Sequence, residues 1–137
     1  MVDGFNPKGV WTPFGAFSMG VIQGQGQVIH LKGQVALDKD GQVVGRDDMR
    51  TQTRITLENI QTVLASVGGR MSDIVSLTHY VTDIEEFMKT GDVRREFFPE
   101  PFPVTTTGFG PRFIWARRRI VTPWLTTRTH ARRRNAP

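Results

Sequence analysis

Asp73-Ile74-Val75-Ser76-Leu77-Thr78-His79-Tyr80-Val81-Thr82-Asp83-Ile84-Glu85-Glu86-Phe87 changes its hydrophobic period in the middle, and that change decides the fold class. Up to Thr82 it alternates, with Val75, Leu77, His79 and Val81 on one face and Ser76, Thr78, Tyr80 and Thr82 on the other, which reads as a strand with a buried face. Asp83 then supplies an oxygen for the free amides of a first helical turn. Ile84, Phe87, Met88, Val93, Phe97 and Phe98 fill one helix through Phe98, with Gly91 as a weak point at its centre.

The same pattern stands upstream. Phe17 to Leu37 reads as two strands turning at Gln23 to Gly26, and Asp38 to Gln42 as a tight turn with Gly41 at positive φ. Asp47 or Asp48 caps a helix whose Leu57, Ile60, Leu64 and Val67 lie on one stripe, and Gly68-Gly69 ends it. Pro99 to Pro103 breaks any helix, and Val104 to Thr107 begins a further strand. The order β-β-α-β-α-β predicts one α/β or α+β layer pair over residues 1–107, with helices packed on one face of a sheet.

Charge divides the chain at the same place. Before residue 108 there are ten Lys and Arg against thirteen Asp and Glu, a net of −3; from Gly108 to Pro137 there are eight arginines and no acid. The chain has no cysteine, which excludes disulfides, a thiolate nucleophile and a cysteine zinc site. His30, His79 and His130 show no metal-ligand spacing, so no metal site is expected. Gly24-Gln25-Gly26 resembles the start of a dinucleotide loop, but Ile29 takes the place of the third glycine and a strand follows. His79 reads as a core or interface histidine, and Asp47, Asp48, Glu85 and Glu86 as acids favoured at helix starts. The uncharged run from Gly9 to Leu31 holds Pro13 and five glycines and is no membrane span; with no signal segment read in the sequence, the expected compartment is the cytoplasm.

From Gly15 to Thr107 the chain resembles the reactive-intermediate deaminase family, also called the YjgF or L-PSP endoribonuclease family. The residues that carry the likeness are Gly15-Ala16-Phe17-Ser18, Gly33-Gln34, Gln52 with Asn59-Ile60 and Leu64, Asp73-Ile74-Val75, Tyr80 through Phe87, Phe97-Phe98 and Phe102-Pro103. The resemblance implies a chorismate-mutase-like fold, β-β-α-β-α-β-β, with helices on one face of a mixed sheet. It also implies a homotrimer with ligand clefts between subunits, and hydrolysis of enamines and imines such as 2-aminoacrylate to a 2-oxo acid and ammonia, without metal or organic cofactor.

At the site the chain departs from the family. The deaminating branch places a carboxylate-binding arginine two residues after the proline of a Pro-Ala-Arg motif; here the motif reads Pro103-Val104-Thr105. Thr107 stands where a cysteine is frequent, Phe17 where a tyrosine is usual, Lys32 in place of a serine before Gly33, and Gly91 and Arg94 in place of an asparagine and a tyrosine. The acidic last strand of the family is not found. The resemblance therefore implies an arginine-lacking branch that binds a small carboxylate or carbonyl metabolite near Phe17, Lys32, Gly33, Thr105 and Thr107. Lys32 reads either as a substitute carboxylate or carbonyl partner or as a solvated surface lysine.

Residues 108–137 admit three readings. Arg117, Arg118, Arg119, Arg132, Arg133 and Arg134, with Phe113, Trp115 and Trp124, could hold nucleic acid. The segment could instead be foreign to the fold, as a shifted reading frame after Thr107 would leave it, or a divergent folded end. Arginine falls on both faces of any strand from Arg112 to Val121, so the expectation is an edge strand around Phe113 to Trp115 or disorder.

Overall fold

The computed structural model describes residues 3–109 and 125–133. In chain order the elements are β1 (Asp3–Phe5), β2 (Gly20–Ile22), β3 (Gln27–Val35), α1 (Met49–Ala65), a 3-10 turn (Met71–Asp73), β4 (Ile74–Val81), α2 (Ile84–Met88), α3 (Gly91–Phe97), β5 (Val104–Phe109) and β6 (Leu125–Arg133). Four strands form one mixed sheet in the order β3-β6-β4-β5, in which β6 is antiparallel to both neighbours and β5 parallel to β4. The expected α+β architecture, with helices on one face of a mixed sheet, is the observed one.

Helix α1 forms where its cap and stripe dictate. The Asp48 carboxylate accepts from the Thr51 amide at 3.1 Å and the Thr51 hydroxyl at 2.7 Å, satisfying a first-turn donor. Leu57, Ile60 and Leu64 are buried against the sheet with Leu31, Ile74, Leu77 and Ala131, while Met71 and Phe98 close the same core. The helix stops at Ala65; Gly68 turns left-handed at φ 73° and the Gly69 amide donates to Leu64 at 2.8 Å. Val67, expected on the stripe, is beyond the helix and exposed. The Asn59 side chain donates to the carbonyls of Val35 and Leu37 at 3.1 and 3.0 Å, fixing α1 to the end of β3.

Three elements differ from the sequence reading. Strands β2 and β3 flank Gln23–Gly26 as expected, but β2 pairs with β1 in a separate two-stranded ribbon and not with β3. The single helix expected from Asp83 to Phe98 is two. Asp83 caps α2 by accepting from Glu86 at 3.0 Å, the Thr90 hydroxyl then donates to the Phe87 carbonyl at 2.7 Å, and Gly91 opens α3 instead of weakening a centre. Residues 125–133 form neither an edge strand nor a loose end: β6 lies inside the sheet, between β3 and β4. Its described side chains alternate as an inner strand requires, with Thr129 and Ala131 buried and His130 and Arg132 on the opposite face. The edge strand expected around Phe113 to Trp115 lies outside the described residues. Among the described residues no helix is long and apolar enough to cross a membrane.

Candidate functional site

The loop before β2 is held against the segment that leads into β5. The Ser18 hydroxyl donates to the carbonyl of Phe102 and the Ser18 amide to that of Pro103 at 3.0 Å. This anchoring lays Phe17 beside the start of β5. On β5, Thr105 and Thr107 stand two residues apart and share a face, pairing in register with Leu77 and His79 of β4. Helix α3 brings Gly91, Asp92, Arg94 and Arg95 to the same hollow.

The three pieces enclose a cleft of about 460 Å³ whose walls include Trp11, Phe17, Arg94, Thr105 and Thr107. Its volume is in the range of small-molecule sites. The outer wall is aromatic. The rings of Trp11 and Phe14 stack at 5.7 Å between centroids, and Phe17 meets them at 5.9 and 5.3 Å.

The cleft's charges differ in their pairing. Asp92 forms a two-pronged ion pair with Arg50 of α1, one contact being 3.0 Å, and Arg50 holds its carboxyl below the usual range. Glu96, one turn on, pairs in the same way with Arg54. Arg94 has no such partner among the described residues. Its guanidinium carbon lies 4.6 Å from the centroid of the Phe87 ring, and its Nε is buried without a hydrogen-bond acceptor. Burial, and secondarily the charge of Arg95, push its pKa down.

Beneath the cleft lies His79, buried in the core with its ring 5.0 Å from that of Phe87. Both ring nitrogens are buried without a partner among the described residues. Burial first, and the Arg94 charge second, lower its pKa to about 3, so the imidazole is neutral at pH 7. It does not line the cleft, in keeping with a core histidine.

Of the five sequence-derived site residues, the structure brings Phe17, Thr105 and Thr107 together and leaves Lys32 and Gly33 apart. Lys32 and Gly33 lie on β3, at the far end of the strand order from β5, with β6 and β4 between. Three strand spacings, about 14 Å, separate β3 from β5 within one chain. There Lys32 and Gly33 line a second hollow of about 500 Å³, with Asn59 and Val63 of α1 on its other side. Arg94, Trp11 and Phe14 were not among the expected site residues. The spacing Trp11-x-x-Phe14-x-x-Phe17 was a visible sign of an aromatic cluster, and the departure at Arg94 a visible change of charge.

Among the described residues no three or more His, Asp or Glu side chains gather as a metal site would need. Of the arginines read as nucleic-acid contacts, Arg132 and Arg133 belong to β6, where the Nε of Arg132 is buried without a partner among the described residues. Arg117, Arg118, Arg119 and Arg134 lie outside the described residues.

The family model described as Endoribonuclease L-PSP matches residues 10–108. A RutC family protein of Pyrococcus horikoshii is 34% identical over 92 residues, which span 66% of this chain and 71% of that protein. A RutC family protein of Pyrococcus abyssi is 31% identical over 91 residues, 66% of this chain and 70% of its own. Among solved structures, a Rid family protein of unknown function from Yersinia pestis superposes with a TM-score of 0.77 at 23% identity, covering 96% of this chain and 98% of that one. A putative endoribonuclease from Thermotoga maritima superposes with a TM-score of 0.69 at 21% identity over 95% and 93% of the two chains. At these identities the superpositions show a shared fold.

Proposed function

Because the chain belongs to the Endoribonuclease L-PSP family, we propose that it is a divergent member that binds a small carboxylate or carbonyl metabolite in the cleft between the Phe17 loop, α3 and β5. The observation that carries this reading is the convergence of Phe17, Thr105 and Thr107 on one concave, largely apolar cleft from positions far apart in sequence. The hydroxyls of Thr105 and Thr107 are the polar groups on the β5 wall. Either can donate to a ligand oxygen and neither can titrate near pH 7.

Imine hydrolysis asks for a cation on the substrate carboxylate, a positioned water and a proton donor. Thr105 brings no cation to the β5 wall and Phe17 no phenol to act as proton donor, so this reading keeps ligand binding and not hydrolysis of 2-aminoacrylate-type intermediates. Lys32 and Gly33 enter this reading through a homotrimer, in which the β3 edge of one subunit faces the β5 side of the next and the ligand lies between them.

The test has two parts. Titration calorimetry with 2-oxo acids should show saturable binding, and the release of 2-oxo acid from iminopropionate should proceed near the rate in buffer alone. Absence of binding overturns the proposal, and a rate far above buffer returns the chain to the deaminases. Light scattering should give a mass about three times 15.5 kDa, and Lys32→Ala should weaken binding only if that trimer forms.

A further inference from the structure

Helix α3 carries two acids and two arginines within five residues, Asp92, Arg94, Arg95 and Glu96, and the acids are already committed. Asp92 is held by Arg50 and Glu96 by Arg54, so the ion pairs between α1 and α3 consume the negative charge of that helix. Arg95 is exposed at the rim, its guanidinium carbon 5.8 Å from the Phe102 ring centroid. Arg94 alone of the four lies half buried against the cleft without an ion pair among the described residues, its Nε lacking any acceptor. A cation in that position is costly unless an anion accompanies it, and among the described residues the one carboxylate on the cleft wall, that of Asp92, is already neutralised by Arg50.

The place of this cation matters. Arg94 lines the same cleft as Thr105, the position at which the sequence lacks the guanidinium that the resemblance would require. The charge missing from β5 is thus present across the cleft on α3, eleven residues earlier in the chain. The guanidinium retains the planar fork that matches two carboxylate oxygens, which a lysine in its place would not offer. In the same cleft, Trp11, Phe14 and Phe17 form a continuous aromatic wall that remains exposed at two of its three members, Trp11 at 58% and Phe14 at 72%. Flat rings of this kind gain most by covering another flat apolar group.

We infer that Arg94 is the carboxylate-binding residue of the cleft and that the ligand it selects is a carboxylate carrying an aromatic or similarly flat apolar group. This rests on the proposed ligand cleft and adds to it the charge that holds the ligand and the class of side chain that fits. The carboxylate meets the Arg94 fork, the neighbouring carbonyl meets the Thr105 and Thr107 hydroxyls, and the apolar group lies against the Trp11–Phe14–Phe17 wall. No bond is made or broken in this step.

Calorimetric titration of the full-length protein with three probes tests it: phenylpyruvate, phenylacetone, which replaces the carboxylate by a methyl group, and pyruvate, which lacks the ring. The unsubstituted protein should bind phenylpyruvate about tenfold or more tightly than either of the others, the worth of a charge-assisted hydrogen-bonded pair. Arg94→Met should abolish the preference for phenylpyruvate over phenylacetone while leaving phenylacetone affinity in place, and Arg94→Lys should restore part of it. Equal affinity of the unsubstituted protein for phenylpyruvate and phenylacetone overturns the role of Arg94 without any variant having to fold. A preference that survives Arg94→Met overturns it as well, with the ligand cleft itself still standing. Pyruvate bound as tightly as phenylpyruvate overturns the aromatic selection. Failure of all 2-oxo acids to bind removes the cleft proposal and this one together.

Discussion

Replacing His79 by leucine should make the protein less sensitive to acid, and the size of the effect follows from the burial of the ring. The imidazole is in the core with both nitrogens unpartnered, and its pKa is depressed to about 3, first by burial and then by Arg94. In the unfolded chain it returns to about 6.5. Between these values the unfolded chain binds a proton that the folded chain refuses, so lowering the pH favours unfolding. The stability that the neutral ring permits is complete above 6.5 and is lost as the pH falls toward 3. The loss approaches about 1.4 kcal/mol per pH unit, or about 2 kcal/mol between pH 7 and pH 5. Leucine has no proton to gain. Urea unfolding of both proteins at pH 7 and pH 5, at one protein concentration, should therefore show the unsubstituted protein losing about 2 kcal/mol more than His79→Leu, because the remaining titrating groups are common to both. At pH 7 the leucine variant should be no less stable, since it relieves two buried polar atoms of an unmet requirement. An identical pH slope in the two proteins would refute the reasoning, for it would mean that the ring is solvated or partnered when folded.

Two further outcomes probe the frame around the cleft. Asp48→Ala should cost about 1 kcal/mol at pH 7, because it removes the acceptor of the Thr51 amide at the start of α1. The two bonds from Thr51 hold the Asp48 carboxyl below its ordinary value, so this contribution is present above the unfolded carboxylate pKa and lost as the pH falls through the lower folded value; thermal melts at pH 7 and pH 3 should show the gap closing. A chain ended at residue 124 loses the strand that joins β3 to β4, and should show no cooperative unfolding transition by circular dichroism. An unchanged transition would place β6 outside the cooperative fold.

Local signals carried the middle of the fold. The caps at Asp48 and Asp83 and the stripe through Leu57, Ile60 and Leu64 are consequences of neighbours a few residues apart and stand as the sequence reads; β4 alternates as expected from Leu77 through His79 to Val81, but at a register shift between Ile74 and Ser76 it is Ile74, not Val75, that is buried. Where the partner is distant the pattern was silent. Nothing in Gly20–Ile22 says that it pairs with Asp3–Phe5 sooner than with β3, since pairing depends on a three-dimensional neighbour and not on the strand's own composition. Strand β6 was concealed in another way. A search for apolar alternation and an acidic run passes over Leu125–Arg133, yet its threonines are good strand formers, and an inner strand can present small side chains such as Thr129 and Ala131 to a core that other elements fill.

The site was half legible for the same reason. A resemblance transfers positions along the chain, so it could point to Phe17, Thr105 and Thr107 and register the arginine missing at 105. It could not show that a side chain on α3 enters the same cleft, because that depends on how α3 packs in three dimensions, its ties to α1 included. Those ties have a second effect on the cleft. By engaging Asp92 and Glu96, Arg50 and Arg54 leave Arg94 as the half-buried cation at its wall without an ion pair among the described residues. A change at Arg50, whose side chain takes no part in lining the cleft, should therefore weaken carboxylate binding by releasing Asp92 toward Arg94. A calorimetric titration of Arg50→Gln with phenylpyruvate should show that weakening, and its absence would mean that Arg94 does not depend on the α1 pairs for its free charge.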